Sequence, residues 1–276
     1  MQVLKVDFQA ADAAEVFDRS LRETGFALIF NHPIASQDID RVYALWQEFF
    51  QSEDKVDYPY DPISQDGYFP MGTETAKGNT VADLKMFYQV YPNGRIPEAL
   101  REATLTLRTQ LYALGETLLG WLDPYIPAHV QTSLPALLSD LRTLYRIIYY
   151  PPLTGLEQAG AIRAAAHEDI NFMTLIPVAS AEGLQVKDIS GRWHDVPCDY
   201  GNISINVGDM LQMLTRGHYP ATTHRVVNPE ITHNPSKPRM SMPLFMHPEA
   251  DVVLKPDFTA EDFLDQRLGE IGIRRT

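Results

Sequence analysis

The sequence predicts a mostly β protein with flanking α-helices. Helical periodicity dominates the first half of its 276 residues, while short β-branched and aromatic runs between turn residues dominate from Leu144 onward. No Pro/Gly/Ser-rich linker divides the two halves, which predicts one domain over residues 1–276. Within it, residues 1–125 read as a mainly helical part, 144–250 as the β-rich core and 259–270 as a C-terminal helix.

Asp12 to Thr24 carries a helical pattern stopped by Gly25, a residue suited to a helix end. Phe26 to Phe30 reads as a short buried strand running into the turn-prone Asn31-His32-Pro33. Ser36 is expected to cap a helix whose apolar Ile39, Val42, Tyr43, Trp46, Phe49 and Phe50 follow the i, i+3, i+4, i+7 stripe of a core-facing element. Asp57 to Val81 reads as irregular. Pro97 opens a long helix carrying Leu100, Leu107, Leu111, Leu114, Leu118 and Leu122, and Pro124 closes it.

The strand-like runs are Tyr145–Tyr150, Asn171–Pro177, Leu184–Asp188, Ile203–Val207, Arg225–Val227 and Met240–Met246, with Ser190-Gly191 as a hairpin turn. Thr259 with Asp262 has the spacing of a capping box for a last helix ending near Leu268. Many short strands of this kind build a sandwich or a barrel.

A formal net charge of −13, with no basic run, argues against a nucleic-acid partner, because phosphate backbones require clustered Lys and Arg. A hydrophobic share of 45% predicts a real core. Cys198 is the only cysteine, so no intrachain disulfide is expected. Met1 to Phe8 lacks a basic segment followed by an apolar stretch, and no apolar run approaches the ~20 residues that span a bilayer. A cytoplasmic protein with no membrane partner is the expectation; the oligomeric state is left open.

His167-Glu168-Asp169 stands immediately before the strand-like run Ile170 to Leu175. If the strand begins at His167, its period of two puts His167 and Asp169 on one face and Glu168 on the other. His224 leads into another such run, 55 positions beyond Asp169. Two histidines and one carboxylate, with open positions opposite, suit non-haem Fe(II) oxygenases. The open positions admit a bidentate 2-oxo acid and O2 together, which a closed structural site does not. These three residues alone fit a zinc site or a metal sensor too.

Arg239-Met240-Ser241 follows fifteen positions after His224. On a strand, Arg239 and Ser241 point the same way. The guanidinium fork and the hydroxyl together could grip the far carboxylate of 2-oxoglutarate while its 2-oxo acid end chelates the metal.

The first half also contains Phe26 to Pro33, Gly67-Tyr68-Phe69-Pro70, Ala76-Lys77-Gly78 and Asp83-Leu84-Lys85. The second contains Tyr149-Tyr150-Pro151-Pro152, Gly183-Leu184-Gln185-Val186, Asn206-Val207-Gly208-Asp209 and His224-Arg225-Val226. With the His-x-Asp and Arg-x-Ser triplets, these fragments resemble the isopenicillin N synthase-like group of 2-oxoglutarate/Fe(II)-dependent dioxygenases over nearly the whole chain.

The resemblance implies a double-stranded β-helix, or jelly roll, flanked by helices. It implies His167, Asp169 and His224 as Fe(II) ligands, Arg239 and Ser241 as the 2-oxoglutarate clamp, and Tyr150 as a hydrogen-bonding partner of the co-substrate or substrate carboxylate. It implies oxidative decarboxylation of 2-oxoglutarate by O2, coupled to hydroxylation, desaturation or cyclisation of a small organic metabolite. No further side chain is required as general acid or base. Ile148 stands where many plant members have Asn, and Gln65 where isopenicillin N synthase has a substrate-binding arginine.

Two alternatives stay open: an oxidase of the isopenicillin N synthase type that takes no 2-oxoglutarate, and a non-catalytic metal-binding β-barrel. Among the remaining residues, Gly183 and Gly208 are expected to serve turns and Lys85 a salt bridge. Tyr68 and Phe69 fit pocket or core equally. His32, His129, His194, His218, His233 and His247 are expected to be structural or exposed. Phe172, Met173, Met213, Met240 and Met242 suit an apolar pocket, with core packing the expectation for most.

Overall fold

A computed structural model describes residues 2–75, 80–229 and 237–270. Ala76-Lys77-Gly78 and His233 therefore lie outside the described residues. The chain opens with β1 (Leu4–Asp7), α1 (Ala13–Thr24), β2 (Phe26–Phe30) and α2 (Ser36–Gln51). Gly25 ends α1 in the left-handed region, at φ 67°, and a Cβ there would meet the Pro220 carbonyl oxygen at 2.4 Å. Only glycine satisfies both demands. α2 differs from expectation at its start: Ala35 occupies the capping position and Ser36 already lies inside the first turn, so no side chain caps this end.

β3 (Gly67–Phe69) falls within the stretch read as irregular, and β4 (Met86–Val90) follows it. α3 (Glu98–Leu122) starts directly after Pro97, as its sequence predicts. The second half comprises β5 (Leu144–Tyr150), β6 (Ala164–His167), β7 (Met173–Pro177), β8 (Leu184–Lys187), β9 (Trp193–Asp195) and β10 (Ile203–Val207). A short α4 (Asp209–Leu214), β11 (His224–Val226), β12 (Arg239–Ser241), β13 (Leu244–Met246), β14 (Val253–Lys255), β15 (Phe258–Thr259) and α5 (Ala260–Glu270) complete it.

The run Met240–Met246 is two strands rather than one. Pro243 lacks the N–H a continuous ladder needs, so β12 pairs with the far end of β5 and β13 with its start. The capping box forms as expected: Thr259 N–H donates to Asp262 Oδ2 (2.8 Å) and Asp262 N–H to Thr259 Oγ1 (3.2 Å). The hairpin between β8 and β9 also forms, with Gly191 at φ 84°.

The larger sheet runs β1-β2-β10-β7-β13-β5-β4-β3, with β12 also on β5; the smaller runs β6-β11-β8-β9. Two such sheets enclosing a space between them form the jelly-roll architecture, with α1, α2 and α3 packed outside. The helical first part thus also supplies β1 to β4, four strands of the larger sheet.

Strict alternation along the larger sheet divides core from cavity. Tyr145, Ile147 and Tyr149 of β5 pack into the main core with the helices, while Ile148 and Tyr150 line the cavity between the sheets. The same division separates Tyr88 from Phe87, Leu175 from Thr174, Ile205 from Ser204 and Met240 from Arg239. A one-residue slip in any of these strands would turn its apolar set into the cavity. No helix among the described residues is long and apolar enough to cross a membrane.

Candidate metal and co-substrate site

His167 ends β6 and His224 begins β11, and the two lie opposite each other in the ladder, with ring centroids 4.4 Å apart. Asp169 joins them by a different route from the alternation expected of a strand starting at His167. The strand stops at His167, and β7 begins only at Met173. Between them lies a turn pinned from the start of α4. Gly208, Asp209 and Met210 donate backbone N–H bonds to the carbonyls of Phe172 (3.0 Å), Asp169 (2.7 Å) and Ile170 (3.2 Å). A Cβ on Gly208 would lie 2.2 Å from the Asn171 carbonyl oxygen, so this close approach requires glycine.

One ligand atom from each of His167, Asp169 and His224 falls within 4.8 Å of the others. Asp169 Oδ1 is 3.8 Å from His167 Nε2 and 3.7 Å from His224 Nε2. The opposite side of each group is held. His167 Nδ1 faces the Ala165 carbonyl (2.7 Å) and His224 Nδ1 that of Thr222 (3.1 Å). A carbonyl can only accept, so each Nδ1 carries the proton and each Nε2 presents a lone pair to the centre.

Asp169 Oδ2 accepts bonds from Thr174 Oγ1 (2.6 Å) and Asn206 Nδ2 (2.7 Å), which aims Oδ1 at the histidines. Burial works to raise the Asp169 carboxyl, but the two histidines and these two donors hold it below its usual value. Burial, then His224, lowers His167, keeping its imidazole neutral and able to ligate. Two imidazole Nε2 atoms and one carboxylate fit a divalent ion with positions left open. Glu168 instead accepts a hydrogen bond from Thr223 Oγ1, beside His224 in sequence.

β12 lies against β5 with Arg239 opposite Tyr150 and Ser241 opposite Ile148, and these side chains share one wall of the cavity. Arg239 is buried, its Nε donates to the Ala181 carbonyl (3.0 Å), and its Nη1 is buried with no hydrogen-bond partner. Its guanidinium carbon is 5.1 Å from the centre of the Tyr150 ring. A buried cation with an unused donor fits an anionic ligand, since leaving it unpaired costs free energy.

Residues 142–248 match the 2OG-Fe(II) oxygenase superfamily, and residues 4–108 match the non-haem dioxygenase in morphine synthesis N-terminal family. A crystal structure from Shewanella oneidensis, of a candidate oxygenase, is 45% identical, with a TM-score of 0.88 over 99% of this chain and 100% of that one. Another, from Caulobacter crescentus, of a candidate 2OG-Fe(II) oxygenase family protein, is 30% identical, with a TM-score of 0.83 over 98% and 99%. The chain is a member of the 2OG-Fe(II) oxygenase superfamily. Flavonol synthase 1 of Crocosmia x crocosmiiflora is 28% identical over 87% of this chain and 74% of its own. Membership makes the chain an enzyme that uses Fe(II), 2-oxoglutarate and O2.

In this oxygenase His167, Asp169, His224, Arg239 and Ser241 all face a cavity of about 900 Å³, large enough for a co-substrate and a small molecule together. Lys85 forms the salt bridge expected of it, twice: Nζ lies 2.6 Å from Glu74 and 2.8 Å from Asp83. Arg146 Nη1 reaches Glu74 at 3.2 Å and its guanidinium stacks over Phe87 at 4.4 Å. Phe69 stacks on Phe87 and lines the cavity, whereas its neighbour Tyr68 packs into the core. Gln65 also lines the cavity.

The remaining histidines of the oxygenase follow expectation in part. His32 and His129 bond backbone carbonyls, and His194 bonds Asp188. His218 packs edge-on against Tyr219, while His247 lines the cavity. Phe172, Met173, Met240 and Met242 are core, and Met213 packs against it. Sequence reasoning passed over Thr174 and Asn206 as supports of Asp169. The one available signal was Asn206 in the fragment Asn206-Val207-Gly208-Asp209, which carries the family resemblance.

Proposed function

We propose that this oxygenase holds Fe(II) through His167 Nε2, Asp169 Oδ1 and His224 Nε2. It takes 2-oxoglutarate with the far carboxylate on Arg239 and Ser241 beside Tyr150, and oxidises an unactivated C–H bond of a small organic metabolite. Hydroxylation is the default outcome, with desaturation and ring closure as variants. The observation that carries this reading is the convergence of three ligand atoms within 4.8 Å, each braced from behind by a carbonyl or a side-chain donor.

With 2-oxoglutarate and O2, iron at such a site supplies oxidative decarboxylation to succinate and CO2 coupled to C–H oxidation. The chain's own part is placement. Nδ1 protons on both histidines keep the Nε2 atoms available, Thr174 and Asn206 fix the rotation of the Asp169 carboxylate, and Arg239 neutralises the co-substrate's far end. The aromatic pair Phe69 and Phe87, with Ile148, gives part of the cavity wall an apolar surface for the substrate. The domain is taken as a single one spanning residues 1–276, because one apolar cluster joins α1, α2 and α3 to strands of the larger sheet and to α5. With one cysteine and no disulfide to preserve, a reducing cytoplasm suits the chain.

Anaerobic protein mixed with Fe(II) and 2-oxoglutarate should develop a weak visible charge-transfer band, and admitting O2 should release succinate. Failure of both would overturn the reading. No band with 2-oxoglutarate, together with Fe(II)-dependent O2 consumption that needs no 2-oxoglutarate, would favour the isopenicillin N synthase type of oxidase.

A further inference from the structure

Three arginines of the described chain are buried almost completely: Arg108, Arg163 and Arg239. Arg108 has a counter-charge: although its Nε, like that of Arg163, is buried without a partner, its guanidinium bonds the Asp140 carboxylate at 2.6 Å and the carbonyls of Asp140 (2.7 Å) and Thr143 (2.9 Å). The other two share one aromatic ring. The guanidinium carbon of Arg239 is 5.1 Å from the centre of Tyr150 and that of Arg163 is 5.8 Å from it. Arg163 is 3% exposed, its Nε is buried without a hydrogen-bond partner, and no carboxylate among the described residues pairs with it.

Two desolvated guanidiniums beside one ring, with no counter-charge among the described residues, are expensive. Burial and the field of Arg239 push Arg163 down to about 10, which still leaves it charged at neutral pH. Cation–π contact with Tyr150 offsets only part of that cost. An anion that arrives with a ligand would offset the rest.

We propose that Arg163 is a positioning residue of the co-substrate site, holding Tyr150 against Arg239 and adding positive potential for the far carboxylate of 2-oxoglutarate. Arg163 immediately precedes β6, whose last residue is His167, so the strand that delivers a metal ligand also delivers this cation. The inference rests on the proposed placement of 2-oxoglutarate.

The test compares two ligands on the anaerobic, Fe(II)-loaded full chain by the charge-transfer band and by calorimetry. One is 2-oxoglutarate. The other is 2-oxovalerate, with the same chelating end and no far carboxylate. Arg163→Met should raise the Kd of 2-oxoglutarate about tenfold, near the lower end of what a charged contact contributes, and leave that of 2-oxovalerate within about twofold. Arg163→Lys, which keeps the charge but not the planar face, should fall between wild type and Arg163→Met in the ratio of the two Kd values.

An unchanged ratio in either variant overturns the proposal. Equal weakening of both ligands in Arg163→Met does so too, because it marks a purely structural role. If Arg163→Met fails to fold, the Arg163→Lys ratio decides alone. Wild-type protein that binds neither ligand would instead sink the underlying placement of 2-oxoglutarate.

Discussion

Two polar clusters line the same cavity and are built on opposite plans. At the metal end, His167, Asp169 and His224 are braced from behind and face one another with their ligand atoms unused. On the wall carrying Glu74, Asp83, Lys85 and Arg146, two carboxylates and two cations bond one another. The first cluster is incomplete by itself and the second is neutral by itself. Buried polarity that serves the fold closes on its own members, whereas polarity kept for a ligand is held on one side and open on the other.

The largest effect expected from that contrast is at Asp169. Asp169→Ala should weaken Fe(II) binding beyond the roughly 10–100-fold that loss of an outer support costs, and turnover should vanish with it. Glu168→Ala, which removes only the acceptor for Thr223, should be far milder. Titration of both variants with Fe(II) under argon checks this, and equal losses would erase the distinction between the open cluster and its neighbour.

Next comes the clamp. Arg239→Ala should raise the Kd of 2-oxoglutarate about 10–100-fold, the worth of hydrogen bonds to a charged group, with Fe(II) affinity unchanged. Calorimetry on the anaerobic enzyme reads both numbers, and an unchanged requirement for 2-oxoglutarate would move the clamp to a substrate carboxylate.

A smaller loss is expected one step out. Asn206→Ala frees Asp169 Oδ2 from one of its two donors, so metal affinity should fall about tenfold while all three ligands remain. If Asn206→Ala binds Fe(II) like wild type, Thr174 alone orients the carboxylate.

The smallest effect belongs to the closed cluster and appears with acid. Burial works to raise the Glu74 carboxyl, but Arg146 and Lys85 hold it well below the usual carboxylate range. A depressed folded value adds stability that is complete above the unfolded value of about 4.3 and is lost as pH falls toward the folded one. Wild type should therefore lose melting temperature below about pH 5 more steeply than Glu74→Gln. Parallel curves would mean that the cluster contributes nothing through this group.

Much of the fold was legible because its signals are local. Gly25 ends α1, Thr259 and Asp262 cap α5, and the alternation in β5 and β10 divides core from cavity. Where local rules failed, a distant contact had intervened. The period of two placed His167 and Asp169 together for the wrong reason, because α4, some forty residues on, bonds the intervening backbone into a turn.

The sequence by itself determined the β-rich class, the two histidines and the aspartate in their order and the Arg-x-Ser pair, since residue chemistry and strand periodicity are properties of the chain. Only the tertiary structure decided that Asn206 and Thr174 aim the Asp169 carboxylate, that Lys85 is neutralised by Glu74 and Asp83, and that Arg163 stands beside Tyr150 with no carboxylate partner among the described residues. Those facts depend on which side chains meet across two sheets. A charge is paired or left open according to its neighbours in space, and no local pattern in the chain encodes them.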